Sequence, residues 1–359
     1  MTITHILEDF SYQSGGIRTV VKDLHTRLLG AGIDSKILTP RCEESDDVIK
    51  ISGRNKAWNY SNELLVKLKE IYSNDKQTII HIHGVWMHPQ YASASFAYKN
   101  NIPFIISCHG MYEPWLWTKG TLKKKLYFKF LAKPVFSKAN YIHAITADES
   151  DEIKKLIPQI KTIEIPNLID FKVQGAKHFN TQEKYILYLG RLDEKKGIDI
   201  LLKAFNNLRS NNFKLKVVGE FNEYKKELDK IVTELSLERK VEFLGLVTGS
   251  AKTELYRNAY VFAAPSHSEV IGMVNLEAAI LETPVITTFQ TGLDKEWNKN
   301  GGFLINPTEK ELTETLKKAI NLSIEERNIR GKKLHDFVLK KYSWKNRFFD
   351  WVKLYKSIL

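Results

Sequence analysis

The chain has 359 residues, a length that favours two domains over one. Its hydrophobic content of 43% is ordinary for a soluble globular protein, and no apolar run is long enough to span a bilayer. The net charge of +12 admits nucleic acid, an anionic membrane or phosphorylated substrates as partners, and charge alone does not choose among them.

Only Cys42 and Cys108 occur, far apart, which fits a reducing compartment and argues against a disulfide framework. The start, Met1-Thr-Ile-Thr-His-Ile-Leu7, lacks the basic region and cleavage site of a signal peptide. A cytoplasmic location is therefore expected.

Ile3–Leu7 reads as a first strand, leading into a loop with adjacent glycines, Gly15 and Gly16. Thr19 to Gly30 has helical spacing, with Val20, Val21, Leu24, Leu28 and Leu29 on one face, and Ser35–Thr39 is a second strand. Strand, glycine turn, helix and strand open an α/β sheet. The Gly15-Gly16 turn either lets a backbone approach a ligand or is only a tight connection. Further strands are Thr78 onward to a loop at His83-Gly84, Pro103 to a loop at His109-Gly110, Tyr141–Thr146 and Thr162–Pro166.

Ligands of open parallel sheets sit beyond the carboxyl ends of the strands. That edge is expected to carry His83, His88 and His109. His81, His83 and His88 bear a likeness to a zinc site, but no Asp, Glu or Cys lies among them, so no metal is assigned. His81 reads as a satisfied core histidine and His109 as a ligand-facing one.

Lys119 to Lys138 contains seven Lys and no acid, with Leu122, Leu126, Phe130 and Leu131 as an apolar stripe. Trp115, Trp117 and Phe128 add aromatic surface. Such a helix either lies on an anionic bilayer or is a solvated helix packing its apolar face inside the domain. No nucleic-acid-binding motif is present, so nucleic acid is not expected.

Pro166-Asn-Leu-Ile-Asp170 and the polar residues to Lys184 read as a linker, after which the α/β pattern restarts. Tyr185–Leu189, Lys214–Val218, Val241–Leu244, Tyr260–Ala264 and Val285–Thr288 are strands. Between them lie helices over Ile198–Leu208, Tyr224–Leu235, Lys252–Asn258 and from near Ile271 to before Pro284. Three more helices follow, over 311–320, 324–340 and 343–359. The last is aromatic-rich, which argues that it is docked.

Two constellations carry chemistry. Arg191 and Lys196 share the loop Gly190–Gly197, where they serve a diphosphate or are ordinary loop charge. Glu269 and Glu277 bracket a loop-to-helix junction whose free N–H groups form an anion site, and they lie about two turns apart.

Taken together, these motifs resemble the retaining GT-B glycosyltransferases, in particular the large family four. The carrying residues are Gly15-Gly16, His109-Gly110, Gly190-Arg-Leu-Asp-Glu-Lys-Lys-Gly197, the Glu269 and Glu277 pair, and Thr283-Pro-Val-Ile286. Ser107-Cys-His-Gly-Met-Tyr-Glu-Pro-Trp115 is similar to members that build bacterial surface polysaccharides. The resemblance implies an α/β chain with two Rossmann-like domains and a cleft between them. Residues 1–172 would form the acceptor-binding domain, 173–342 the nucleotide-sugar-binding domain, and 343–359 a helix crossing back to the first.

It also implies residue roles. Arg191 and Lys196 would contact the donor diphosphate, Glu277 the ribose, Glu269 the transferred sugar, and His109 the sugar from the first domain. Gly272, Met273 and Val274 would cap the phosphates, with Gly245, Leu246 and Val247 near the base. Gly16 would approach the phosphate, and Gly15 the acceptor. The implied reaction moves a sugar from a UDP- or GDP-sugar to a glycan or polyprenyl-diphosphate-linked glycan, without a cofactor or metal. It would take place in the cytoplasm or at the inner face of the plasma membrane. Alternatives are a soluble transferase for a small acceptor and a non-catalytic glycan-binding GT-B protein. Two departures stand out: Val270 replaces a glycine of the usual Glu-Gly-Phe-Gly, and Asn167-Leu-Ile-Asp170 replaces Asn-Gly-Val-Asp.

Overall fold

A computed structural model describes residues 1–43, 48–52, 58–117, 121–170, 183–209 and 212–359. Residues 171–182 of the expected linker and Lys119 of the basic stretch lie outside the described residues.

The chain divides into two units, Met1–Asn167 with Phe348–Leu359, and Leu168–Arg347. The first holds seven strands: β1 Thr2–Ile6, β2 Asp34–Thr39, β3 Ile49–Lys50, β4 Thr78–His83, β5 Phe104–Ser107, β6 Tyr141–Ala144 and β7 Thr162–Glu164. Their order is β3-β2-β1-β4-β5-β6-β7, all parallel. The second unit holds β8 Tyr185–Leu189, β9 Lys214–Val218, β10 Val241–Gly245, β11 Val261–Ala264, β12 Val285–Thr288 and β13 Phe303–Ile305. Their order is β10-β9-β8-β11-β12-β13, again all parallel.

Central parallel strands are covered on both faces, so their sequences run continuously apolar or polar-but-satisfied. β1, β4, β8 and β11 are buried at every position. Ile6, Ile80, Ile82, Ile106 and Ile142 centre one core, and Ile186, Leu201, Leu215, Val261 and Ile286 the other.

Strand order reverses between β1 and β4 in one sheet and between β8 and β11 in the other. Helices there leave on opposite faces, so the loops at the carboxyl ends part and open a crevice. The loops at these two switch points carry Gly15-Gly16 and His83-Gly84 in the first unit. In the second they carry Gly190–Gly197 and Pro265–Gly272.

Three helices add to those read from the sequence: Glu63–Asn74, whose Leu64, Leu68 and Ile71 form a buried row at helical spacing, His88–Lys99 and Ala147–Leu156. The helix His88–Lys99 is built from small residues, Ala92, Ser93, Ala94, Ser95 and Ala97, so no apolar stripe marks it. Pro89 suits its first turn because the missing N–H has no partner there.

The basic stretch is helical from Thr121 to Phe136, with a π segment over Phe128–Ala132. Pro134 follows directly; it cannot donate to the preceding turn, and the wider π turn accommodates that. Phe128, Ala132 and Phe136 face the core, whereas Leu122, Leu126 and Phe130 are 71, 48 and 62% exposed. The stripe read from spacing is thus the outer face, and the inward face is a different set of residues.

The final helix, Trp344–Lys356, buries Trp351 and Tyr355 in the first unit. The Tyr355 hydroxyl meets His81 Nδ1 at 2.8 Å, His81 Nε2 meets Ser107 Oγ at 2.7 Å, and Ser107 Oγ meets His143 Nδ1 at 2.8 Å. His143 Nε2 donates to the Ile165 carbonyl at 2.7 Å. A carbonyl only accepts, so the proton order is set from that end and every member is satisfied. His81 is therefore a core histidine with both nitrogens used.

Candidate active site

In the second unit, Gly197 carries φ +66°, and a Cβ there would stand 2.3 Å from the Pro265 carbonyl oxygen. Only glycine lets the turn after β8 press against the loop after β11. His267 N–H donates to the Lys195 carbonyl at 2.8 Å and locks the contact. Lys196 consequently reaches Glu269, and the two form an ion pair with each side chain under one-fifth exposed. Ser266 Oγ donates to the same oxygen, Oε1, at 3.2 Å. Glu269 N–H donates to the Gln290 carbonyl at 2.8 Å, which fixes the loop from the other side.

Glu277 lies on the helix Met273–Ile280 and is held in a parallel way. Lys252 Nζ stands 2.7 Å from its Oε2, and the Tyr256 hydroxyl donates to the same atom at 2.9 Å. Burial, reinforced by the Glu277 carboxylate, raises the Tyr256 phenol well above its ordinary range, so it stays protonated as a donor. Each glutamate is thus anchored through one oxygen, and among the described residues no hydrogen bond falls on the other.

Between them, Gly272 precedes the helix, which no side chain caps among the described residues. The backbone at Val270 does not enter the left-handed region, so a β-branched residue is accommodated where a glycine is usual. Arg191 is 71% exposed at the side chain, with Asp193 at 3.8 Å, and stands free to turn toward a ligand. Gly245 ends β10 with φ +70°, followed by Leu246 at 68% exposure. The exposed ring of Phe221 lies 3.8 Å from the position a Gly245 Cβ would take.

In the first unit, Gly15 has φ +69° and the helix Gly16–Gly30 starts directly after it. His109 itself adopts φ +52°, an uncommon conformation that His tolerates better than most residues. Glu149 holds it there: its carboxylate accepts from Gly110 N–H at 2.6 Å and Ile145 N–H at 2.7 Å. Burial raises the Glu149 carboxyl, against the pull of those two N–H groups. His83 ends β4 at the sheet's carboxyl edge but is buried, with His109 bonded to its Nδ1. His88 begins the helix that follows β4 and is buried, with the rings of Trp58 and Tyr60 against it.

His5, His81 and His83 place ring nitrogens within 4.8 Å of one another. Both nitrogens of His81 and both of His83 already take part in hydrogen bonds, so a metal would have to break them. Sequence reading misses Lys252, Tyr256, Ser266 and Glu149. Lys252 and Tyr256 stand four apart on the helix Gly249–Asn258, which places them on one face. Their partner, Glu277, is set only by tertiary packing.

Comparison with known proteins gives the family. Residues 170–335 match the model of glycosyl transferases group 1, and residues 14–173 that of glycosyltransferase family 4. An uncharacterized glycosyltransferase of Methanocaldococcus jannaschii is 28% identical over 253 residues, 64% of this chain and 62% of that protein. The capsular polysaccharide biosynthesis glycosyltransferase CapM of Staphylococcus aureus is 32% identical over 158 residues, 42% of this chain and 40% of its own length. Both matches thus span less than two thirds of the relative. The HepE protein of Anabaena, solved with UDP and glucose, superposes with a TM-score of 0.74 at 16% identity over 99% of this chain and 100% of that one. With the two models matched in chain order across residues 14–335 and the fold shared over its full length, the chain belongs to the group 1, family-four glycosyltransferases of the GT-B fold.

Proposed function

We propose that the protein transfers a sugar, with retention, from a nucleotide-sugar donor to a hydroxyl of a glycan in surface-polysaccharide synthesis. The observation that carries this reading is the pair of glutamates eight residues apart. Each is held through one oxygen by a lysine and a hydroxyl, on either side of an uncapped helix start. Hydroxyl-rich ligands suit carboxylate oxygens that are fixed and free, and a diphosphate suits N–H groups at a helix start.

In this reading Glu277 holds the ribose and Glu269 the sugar being moved. Arg191, Lys196 and the backbone of Gly272, Met273 and Val274 hold the diphosphate. Gly245, Leu246 and Val247 receive the base. Gly16 approaches the phosphate, Gly15 the acceptor, and His109 the sugar. The anomeric C–O bond to the diphosphate breaks as a bond to the acceptor oxygen forms on the same face. The acceptor's proton passes to an oxygen of the leaving diphosphate, which keeps the reaction balanced without a cofactor. Arg191, Lys196 and the helix start stabilise the charge developing on that group, so a metal is not needed for it. Glu269 is bound to Lys196 and acts by positioning, not as a covalent nucleophile.

CapM acts in capsular polysaccharide biosynthesis, and a surface glycan is the acceptor class proposed here. Among the described residues no helix is long and apolar enough to cross a membrane. The exposed Leu122, Leu126 and Phe130, flanked by Lys123, Lys125, Lys129 and Lys133, support peripheral attachment to an anionic inner membrane face and a lipid-linked acceptor.

Calorimetric titration with UDP, GDP and ADP, followed by a donor-hydrolysis panel of the corresponding sugars, tests the reading. Binding of one diphosphate and slow hydrolysis of its sugar are expected. A panel with neither binding nor turnover would remove it. Sedimentation with anionic vesicles tests the surface version, which predicts binding that falls with salt and with Leu122→Ser plus Phe130→Ser.

A further inference from the structure

β1 and β4 pair in register with His5 opposite His81, and His83 closes β4. His5 Nδ1 lies 3.0 Å from His83 Nε2, and His83 Nδ1 lies 3.0 Å from His109 Nε2. The chain therefore runs from a fully buried ring, through a second, to the partly exposed His109. Burial lowers all three, His5 and His109 to about 3, so each ring is a neutral imidazole at physiological pH.

A neutral imidazole has one N–H and one lone pair. Two ring-to-ring bonds then permit two arrangements, with every proton on Nδ1 or every proton on Nε2. The inner end decides between them. His5 Nε2 is buried without a partner among the described residues. The Nε2 arrangement would leave an N–H there with no acceptor, and buried N–H groups without partners are rarer than unfilled acceptors. The Nδ1 arrangement leaves only a lone pair. At the outer end it directs the His109 Nδ1–H away from the chain, where no described residue bonds it.

We propose that His5 and His83 are positioning residues that hold His109 as its Nδ1–H tautomer, so that His109 donates a hydrogen bond to an oxygen of the substrate. His81 cannot divert the chain, because Tyr355 and Ser107 occupy both its nitrogens. Glu149 adds the second constraint by fixing the Gly110 N–H, and with it the backbone that aims the ring. A donor at this position serves a sugar hydroxyl or a phosphate oxygen. It does not serve as a general base, which agrees with the proton leaving through the diphosphate. The inference rests on the sugar-transfer reading only for what His109 donates to; the tautomer is measured without substrate.

The experiment uses the full chain labelled with 15N histidine and two-bond 1H–15N correlation. His109 and His83 are expected as Nδ1–H tautomers. In His83→Asn, whose amide can donate or accept toward His109, both tautomers of His109 are expected. An Nε2–H His109 in the wild type, an unchanged His109 in His83→Asn, or a metal ion on His5 and His83 would overturn the proposal. In transfer assays His109→Asn places its amide nitrogen near the Nδ1 position and tolerates the positive φ. His109→Gln places its nitrogen near Nε2. The first should retain roughly tenfold more kcat/KM than the second, the scale of one hydrogen bond. The reverse ranking would count against the donor role. Absence of any transfer by the wild type would instead defeat the sugar-transfer reading and leave the tautomer result standing.

Discussion

Replacing Gly197 by Ala tests the joint that builds the site. Its φ of +66° is a left-handed conformation that costs a β-carbon residue about 1–2 kcal/mol. The new Cβ would also stand 2.3 Å from the Pro265 carbonyl oxygen, whereas ordinary contact begins at 3.4 Å, so something retreats by about 1 Å. The Pro265 side has little room to move, since the Thr288 hydroxyl donates to the Ser266 carbonyl at 2.5 Å and His267 N–H to Lys195 at 2.8 Å. Overpacking adds roughly 1–3 kcal/mol, for a sum of about 2–5 kcal/mol. In a unit of this size each kcal/mol shifts Tm by about 2–4 °C, so the second unit's transition should fall by roughly 4–20 °C. Lys196 rides on the displaced turn, and a misplacement near 1 Å is expected to slow transfer about a hundredfold. Scanning calorimetry of the full chain, with and without nucleoside diphosphate, reads the stability and the diphosphate affinity, and a transfer assay reads the rate. Gly30→Ala is the control, since Gly30 ends a helix with open space around its Cβ. A Gly197→Ala variant with the Tm and diphosphate affinity of the wild type would refute the reasoning.

Glu277→Gln removes the charge that Lys252 and Tyr256 hold in place, and nucleoside-diphosphate affinity should fall roughly 10–100-fold by calorimetry; an unchanged affinity would show that Glu277 does not touch the ligand. Tyr355→Phe leaves the buried His81 Nδ1 without its donor and should destabilise the first unit by about 1–3 kcal/mol in denaturant titrations, with equal midpoints counting against the network. His5 and His143 give a pH signature, because burial lowers them to about 3 and about 4 from 6.5. Their folded pKa values lie below the unfolded ones, so their stabilisation is complete above pH 6.5 and is lost as pH falls toward the folded values. Each contributes a slope of up to roughly 1.4 kcal/mol per pH unit in that window. Thermal scans between pH 7 and 5 should show the first unit's Tm falling, and a flat profile would mean that the rings take up protons as readily folded as unfolded, so that burial does not hold them neutral.

The strands of both sheets were readable because parallel strands buried on two faces run apolar without interruption. Tyr185–Leu189, Lys214–Val218 and Val285–Thr288 are read to the residue. Helices were readable where an apolar face faces polar solvent, as over Ile198–Asn206. The helix His88–Lys99 was not, since its small residues carry no such contrast. The 121–136 helix shows a further limit. Its apolar positions were visible, but Leu122, Leu126 and Phe130 recur at the same four-residue spacing as Phe128, Ala132 and Phe136, so spacing does not choose the inward row and tertiary packing does.

Residue types at strand ends were determined locally. Gly197, Lys196, Glu269, Glu277 and His109 are legible because a strand, a turn and a helix start each demand particular backbone freedom and charge. Their partners were decided only by tertiary structure. Lys252 meets Glu277 across 25 positions, Glu149 meets Gly110 across 39, and His5 meets His83 across 78. A hydrogen bond needs its two ends within about 3 Å, and only the strand order of the sheets brings such distant positions that close.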